Sequence, residues 1–219
     1  MSSPAALPLA VYGRPPRAGE TKTRLAPVLG DDGAARLYAA FLADVLTRAR
    51  QAPFDVTLWV AGDPEDPLLL EIDAARRVRR CAQQGRDLGE RMARTLDAQR
   101  AENGRGLVLG TDSPTLPPRL LAAAARALDH SDIVLGPAAD GGYWLVGARV
   151  PMGRVFEGVR WSTTHALADT VRGAARIGAS VVLASPWYDV DTADDLRLLR
   201  AHLGLDPSAA PVTAAALGF

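Results

Sequence analysis

Seven short apolar runs alternate with stretches whose apolar residues recur at helical spacing, and this alternation limits the architecture more than any other feature. The runs are "LPLAVYG", "FDVTLWVAG", "RVRRCAQQ", "GLVLGTD", "SDIVLGPA", "GYWLVGA" and "SVVLAS". Between and after them stand "GAARLYAAFLADVLTRAR", "DLGERMARTLDAQRAENG", "LPPRLLAAAARALD", "STTHALADTVRGAARIG" and "TADDLRLLRAHLG". Short apolar runs read as buried strands and the longer periodic ones as helices. Regular alternation of the two builds an α/β domain with a mostly parallel sheet and helices on both faces. The punctuation agrees. Asp31 or Asp32 is placed to cap the first helix. Asp87 caps the second, with Glu90 at capping-box spacing, and Asn103-Gly104 stops it. Ser162 or Thr163 is placed to cap the fourth helix, and Asp191 or Thr192 the last.

The 219 residues suit one core, and no repeat or linker divides them. A single domain is expected over residues 1–204, followed by an alanine- and proline-rich tail, 205–219, with no assignment. Lys and Arg number 25, as do Asp and Glu, so the formal net charge is zero. That balance gives no general attraction to nucleic acid or to an anionic membrane. The single cysteine, Cys81, excludes an internal disulfide and a cysteine-rich zinc site. No apolar run has the length of a membrane span. The opening "MSSPAALPLAVYGR" lacks the basic start of a secretory signal, so a cytoplasmic location is expected. Heavy use of alanine and arginine suits a GC-rich bacterial genome. His130, His165 and His202 share no metal-ligand spacing and read as structural.

In open parallel sheets, ligands sit beyond the carboxyl ends of strands. Behind the first strand stands "GRPPRAGETKTRL", with Arg14, Arg17, Lys22 and Arg24 against Glu20. Lys22 is the only lysine in the chain. Gly13 and Gly19 allow close backbone approach. The arginines offer forked donors to phosphate oxygens, and lysine a compact charge able to follow a phosphate through a transition state. The loop therefore reads as a phosphate cradle, with Lys22 in a catalytic role. It carries neither the Walker spacing nor a dinucleotide fingerprint.

Two more strand ends carry carboxylates. "LVLGTDSPTL" ends a strand at Asp112, where Gly110 leaves room and Pro114 turns the chain away. "YDVDTADDL" places Asp189 and Asp191 in alternation before the last helix, more acid than a cap requires. A nucleotide polyphosphate brings Mg²⁺ (or Mn²⁺), which takes oxygen ligands and needs only one or two protein carboxylates. Asp112 and Asp191 supply them if their strand ends are neighbours. In "CAQQGRDLGERM", Gln83 and Gln84 carry amides suited to a base edge, and Arg91 lies one turn into the helix.

The ordered segments "RPPRAGETKTRL", "GAARLYAAFLADVL", "QQGRDLGERM", "GTDSPTL", "GPAADGGYWLVG", "FEGVRWST" and "DVDTADDL" resemble a known family. They are similar to the small bacterial proteins of the nucleotide-diphospho-sugar transferase (GT-A) superfamily named as arsenosugar-biosynthesis-type glycosyltransferases. Molybdopterin and phospholactate nucleotidyltransferases belong to the same superfamily. The resemblance runs from about Leu9 to Leu203. It implies a Rossmann-like GT-A fold, metal-binding aspartates at Asp112 and Asp191, and a phosphate loop holding Arg14 and Lys22. It also implies an acceptor pocket at "GPAADGGYW". On that expectation Gly141 and Gly142 open space, Tyr143 and the later Trp161 wall the pocket, and Asp140 meets the acceptor hydroxyl as a base; Asp-Gly-Gly equally suits a hairpin turn, and Trp161 the core. Two departures stand out. Gly110 interrupts the Asp-x-Asp of glycosyltransferases, and prolines replace the G-G-x-G-x-R of nucleotidyltransferases.

The expectation is a Mg²⁺-dependent glycosyltransferase, monomer or homodimer, acting from a nucleotide sugar onto a small-molecule acceptor. Its nucleotide and phosphate ligands are Gly13, Arg14, Arg17, Lys22, Arg24, Gln84 and Arg91. Nucleotidyl transfer from a triphosphate to a phosphorylated small molecule, releasing pyrophosphate, stands beside it. A nucleotide-binding protein without turnover is the third reading.

Overall fold

Successive residues of a strand face opposite ways, and the core divides accordingly. In the central strand β1 (Leu7–Gly13), Leu9 and Val11 enter one apolar cluster, while Ala10 and Tyr12 enter another. The computed structural model describes residues 6–219. The first five residues lie outside it, and with them the start of the expected 1–204 domain and of the stretch read against a secretory signal.

The first cluster packs under α1 (Ala26–Arg50), the short helices α2 (Pro67–Leu70) and α3 (Asp73–Arg76), and α5 (Pro118–Ala127). The second packs under α4 (Leu88–Asn103), α6 (Gly153–Phe156) and α7 (Ala166–Arg176). Between them lies one sheet of β1, β2 (Phe54–Val60), β3 (Arg79–Ala82), β4 (Gly106–Gly110), β5 (Ile133–Pro137), β6 (Tyr143–Ala148) and β7 (Val181–Leu183). Its seven strands run in the order β3-β2-β1-β4-β6-β5-β7. Every pairing is parallel except those of β6 with β4 and β5. This is the expected α/β domain with a mostly parallel sheet. From β1 the chain first builds outward through β2 and β3, then returns to the other side at β4. The strand order therefore reverses between β1 and β4, the place where such sheets bind ligands.

The helix boundaries show where local signals were overridden. α1 begins at Ala26 with a proline in its first turn, but it is two helices joined at Gly30, so its long part starts beside the expected Asp31 and Asp32. It kinks at Gly30, whose φ of 72° lies in the left-handed region that glycine enters without a Cβ clash. Asp87 caps α4 by accepting the Glu90 N–H at 2.8 Å, and left-handed Gly104 ends the helix. The Glu90 carboxylate instead accepts from the Arg86 N–H and from Arg94. α7 starts at Ala166, so neither Ser162 nor Thr163 caps it. Thr192 caps α8 (Ala193–Leu205) in a closed capping box with Asp195.

Residues beyond α8 form a 3₁₀ turn (Pro207–Ala209) and α9 (Pro211–Leu217). Buried Asp44 of α1 accepts from the N–H groups of Val212 and Thr213 at 3.1 and 2.8 Å. Those are donors of the first turn of α9, which no earlier turn can satisfy. Ala210 and Ala214 then join Leu37 and Phe41 of α1 and Leu199 and Leu203 of α8 in a third apolar cluster.

Candidate active site

A cleft of about 1020 Å³ opens at the reversal between β1 and β4. Its base is set by a chain of hydrogen bonds from buried Tyr38 of α1. The Tyr38 hydroxyl accepts the Arg14 N–H at 3.1 Å and donates to Thr111 Oγ1 at 3.2 Å. Thr111 Oγ1 in turn donates to the Tyr12 carbonyl at 3.3 Å. The loop after β1 and the turn after β4 are thus held at a fixed separation. Burial is the main reason the Tyr38 phenol is raised above its usual range, so it stays a neutral donor and acceptor.

The carboxylates are brought together by the segment after β7. It continues along β5, where the Trp187 N–H donates to the Pro137 carbonyl. It then crosses to β4, where the Val190 N–H donates to the Asp112 carbonyl at 2.9 Å. Asp189 and Asp191 flank Val190 on one side of this extended segment. Asp191 lies beside Asp112 through a shared partner: Lys22 Nζ sits 2.5 Å from Asp112 Oδ1 and 2.6 Å from Asp191 Oδ1. Asp140, Asp189 and Asp191 also offer oxygens that all lie within 4.8 Å of one another. Asp191 is common to this group and to the Lys22 pair, and carboxylate oxygens suit a hard divalent cation such as Mg²⁺ or Mn²⁺. Burial first, then the charges of Asp140, Asp191 and Asp112, push the Asp189 carboxyl up to about 6.

Lys22 departs from expectation. It does not stand in the open as a cation awaiting a phosphate. Its side chain is 5% exposed, pinned between Asp112 and Asp191 and 5.7 Å above the Phe41 ring. Burial would lower its pKa, but the two carboxylates more than offset this and raise it, so the ammonium keeps its proton. Its φ of 49° and that of Ser162, 58°, are the left-handed non-glycine backbones among the described residues, and both residues line the cleft. Such strain persists where surrounding structure enforces it, and it concentrates at functional sites.

Of the remaining expected phosphate ligands, Gly13, Arg14, Arg24 and Arg91 line the cleft. Arg91 is aimed there because its Nε donates to the Gly85 carbonyl at 3.0 Å while its own carbonyl accepts from the Tyr12 hydroxyl at 2.9 Å. Arg17 does not line the cleft: its guanidinium turns away to buried Asp66, which also caps α2. Gln84 is likewise corrected. It is exposed and outside the cleft, because alternation along the strand end turns Gln83 inward instead. The Gln83 amide donates to the Trp59 carbonyl at 2.9 Å.

Gly142, Tyr143 and Trp161, expected at the acceptor pocket, line the cleft together with Asp140. Gly141 does not line it. It makes the β5–β6 turn with φ 87° and packs against the Thr164 backbone. Asp140 accepts the Gly142 N–H at 2.7 Å, so its place within the turn is fixed. Trp161 rests on Gly89 of α4, with Phe156 and Tyr143 edge-on at 5.3 and 6.4 Å. Tyr38 lies in "GAARLYAAFLADVL" and Thr111 in "GTDSPTL", where nothing local marks either as a support of the cleft. Asp189 did carry a signal, the alternation of acids in "DVD".

Comparison with solved structures agrees with this fold. A Desulfovibrio desulfuricans G20 protein assigned as a nucleotide-diphospho-sugar transferase superposes with a TM-score of 0.88 at 32% identity, covering 97% of this chain and 94% of that one. CMP:2-keto-3-deoxy-manno-octonic acid synthetase, solved with CTP, gives a TM-score of 0.58 at 11% identity over 91% of this chain and 99% of that one. The Rv0371c protein of Mycobacterium tuberculosis H37Rv, solved with manganese, gives 0.53 at 20% identity over 88% and 97%. These last two share the fold alone. No curated protein matches the chain. Residues 43–163, from within α1 to the loop before α7, match the model of a family described as an uncharacterized protein conserved in bacteria, DUF2064. With more than half its length matched, the chain belongs to the DUF2064 family.

Proposed function

We propose that this protein is a divalent-metal-dependent transferase that uses a nucleotide-activated donor, and that it transfers a glycosyl group from a nucleotide sugar to a small-molecule acceptor. The observation that carries the reading is the meeting of Lys22, Asp112 and Asp191 at the sheet's reversal point, between a cationic loop and an aromatic wall. The Desulfovibrio relative, at 32% identity, supports the same class.

In this reading Arg14, Arg24 and Arg91 bind the donor's phosphates and Asp112 and Asp191 hold Mg²⁺ (or Mn²⁺), with Asp189 beside them. The ion supplies Lewis-acid stabilisation of charge on the phosphate oxygens. Gly142, Tyr143 and Trp161 position the acceptor, and Asp140 takes the proton of its attacking hydroxyl. The bond from the sugar's anomeric carbon to phosphate oxygen breaks as the new glycosidic bond forms. The nucleoside diphosphate leaves with the electron pair, its charge held by the cationic loop. Among the described residues no helix is long and apolar enough to cross a membrane.

Nucleotidyl transfer is the second reading. The three exposed or half-exposed arginines at the cleft favour it, because that much positive charge suits a triphosphate. A thermal-shift screen decides. ATP, GTP, CTP, UTP, UDP-glucose and GDP-mannose are tested with and without Mg²⁺. A ligand at a hundred times its dissociation constant adds about 2.7 kcal/mol. At about 2–4 °C per kcal/mol for a chain of this size, the melt rises by roughly 5–11 °C. A Mg²⁺-dependent shift with a nucleotide sugar supports glycosyl transfer, and one confined to triphosphates supports the second reading. No shift with any nucleotide contradicts both.

A further inference from the structure

Two carboxylates aimed at one point repel each other unless a cation lies between them. Here Asp112 Oδ1 and Asp191 Oδ1 both meet Lys22 Nζ, at 2.5 and 2.6 Å. The ammonium is on the inner side, 5% exposed, and the carboxylates face the cleft at 46% and 32% exposed. The Lys22 backbone is left-handed, and the next charged residue, Arg24, reaches the cleft.

We propose that Lys22 is a placeholder cation: it holds Asp112 and Asp191 together before metal arrives, and metal and ammonium compete for the same two oxygens. The inference rests on the reading that Asp112 and Asp191 take the divalent ion. Mg²⁺ binds oxygen at about 2.0–2.1 Å and demands a near-octahedral shell. An ion seated between these oxygens therefore displaces Nζ from the same place. The expelled ammonium needs another anion, and the donor's polyphosphate supplies one within reach of its four-carbon stem. Metal and nucleotide then bind with positive coupling, and metal alone binds weakly. Arginine suits this role poorly. Its planar fork pairs with one carboxylate, whereas a compact ammonium bridges two and swings away as a point charge. The chain's only lysine is placed where that difference matters.

The test measures Mn²⁺ binding by electron paramagnetic resonance, for the wild type and Lys22→Met, with and without CTP or UDP-glucose. Lys22→Met is expected to bind Mn²⁺ alone more tightly, by about 5- to 150-fold, the usual range of coupling between linked ligands. The enhancement of Mn²⁺ binding by nucleotide is expected to shrink in the variant. A second measurement needs no variant. Acylation of the single lysine, followed by peptide mass spectrometry, is expected to speed up when Mn²⁺ alone is added to the wild type. Equal or weaker Mn²⁺ binding by Lys22→Met, with nucleotide binding retained, overturns the placeholder role and leaves the transferase reading standing. So does a Lys22 acylation rate that Mn²⁺ does not change. Absence of Mn²⁺ binding in both proteins, with and without nucleotide, overturns the placeholder and the metal reading together.

Discussion

Replacing Tyr38 by phenylalanine removes one oxygen and leaves the ring packed where it was. The oxygen accepts the Arg14 N–H at 3.1 Å and donates to Thr111 Oγ1 at 3.2 Å, so its loss unties the phosphate loop from the Asp112 turn. A net hydrogen bond contributes about 0.5–1.5 kcal/mol, and a buried group left unpaired costs about 1–3 kcal/mol. The Arg14–Tyr38 hydrogen bond is only partly buried, and Thr111 keeps its bond to the Tyr12 carbonyl. The lower ends of both ranges apply, giving about 1–2 kcal/mol. For a chain of this size that lowers the melt by roughly 2–8 °C. The untied loop must also be reordered by the ligand. About 1 kcal/mol of that cost appears as roughly fivefold weaker nucleotide binding. Differential scanning calorimetry and titration calorimetry read the two effects. A variant that melts with the wild type and binds nucleotide equally well refutes the claim that Tyr38 sets the cleft's base.

Two further outcomes follow from local geometry. Asp189→Asn removes a carboxyl whose pKa is raised to about 6 in the folded state, above its unfolded value. The native state then holds a proton that the unfolded chain has released, so this group's contribution is full below about pH 4 and is lost as pH rises through about 6. Wild-type stability relative to Asp189→Asn is expected to fall across that window and level off above it. Parallel urea-denaturation profiles from pH 4 to 7.5 would show that neither burial nor the neighbouring acids raise the Asp189 carboxyl. Gly89→Ala adds a Cβ that would stand 2.7 Å from Trp161 Nε1. Alanine in a helix should gain about 1 kcal/mol over glycine, but overpacking costs about 1–3 kcal/mol. The variant is expected to gain nothing in stability and to shift its tryptophan emission, and a gain near the full helix-propensity value would show Trp161 loosely held.

Sheet and helices were legible because each rests on short-range pattern. "LPLAVYG" spans β1 from end to end, and Asp87 and Gly104 bound α4 as capping chemistry requires. Asp112 stands just past β4 as the strand-end rule expects, but Asp191 lies eight residues past β7, and it is the fold that brings it to the Lys22 ammonium beside Asp112. What escaped depends on contacts distant in sequence. Arg17 could not be told from Arg14 by local charge, since only the fold brings Asp66 to it. Helix α9 forms where Asp44, more than 160 residues earlier, satisfies its first donors. Ser162 looked like a helix cap, yet its left-handed backbone sits before a helix that starts later. Lys22 was visible as an anomaly of composition, but its two partners lie on other elements and no spacing announces them.

Asp191 belongs both to the pair that grips Lys22 and to the group of three acids, so the account depends on it more than on any other side chain. The direct measurement is calorimetric titration of Asp191→Asn with UDP-glucose and with CTP, in Mg²⁺ and in chelator. Asparagine keeps the shape and removes the charge that Mg²⁺ requires. The wild type is expected to bind at least one of these ligands with an affinity that Mg²⁺ raises by about tenfold or more, and the variant is expected to bind it equally in Mg²⁺ and in chelator, a difference of about 1.4 kcal/mol or more. A variant that keeps the full Mg²⁺ enhancement contradicts the placement of the metal, and with it the assignment of this cleft as a metal-dependent nucleotide site.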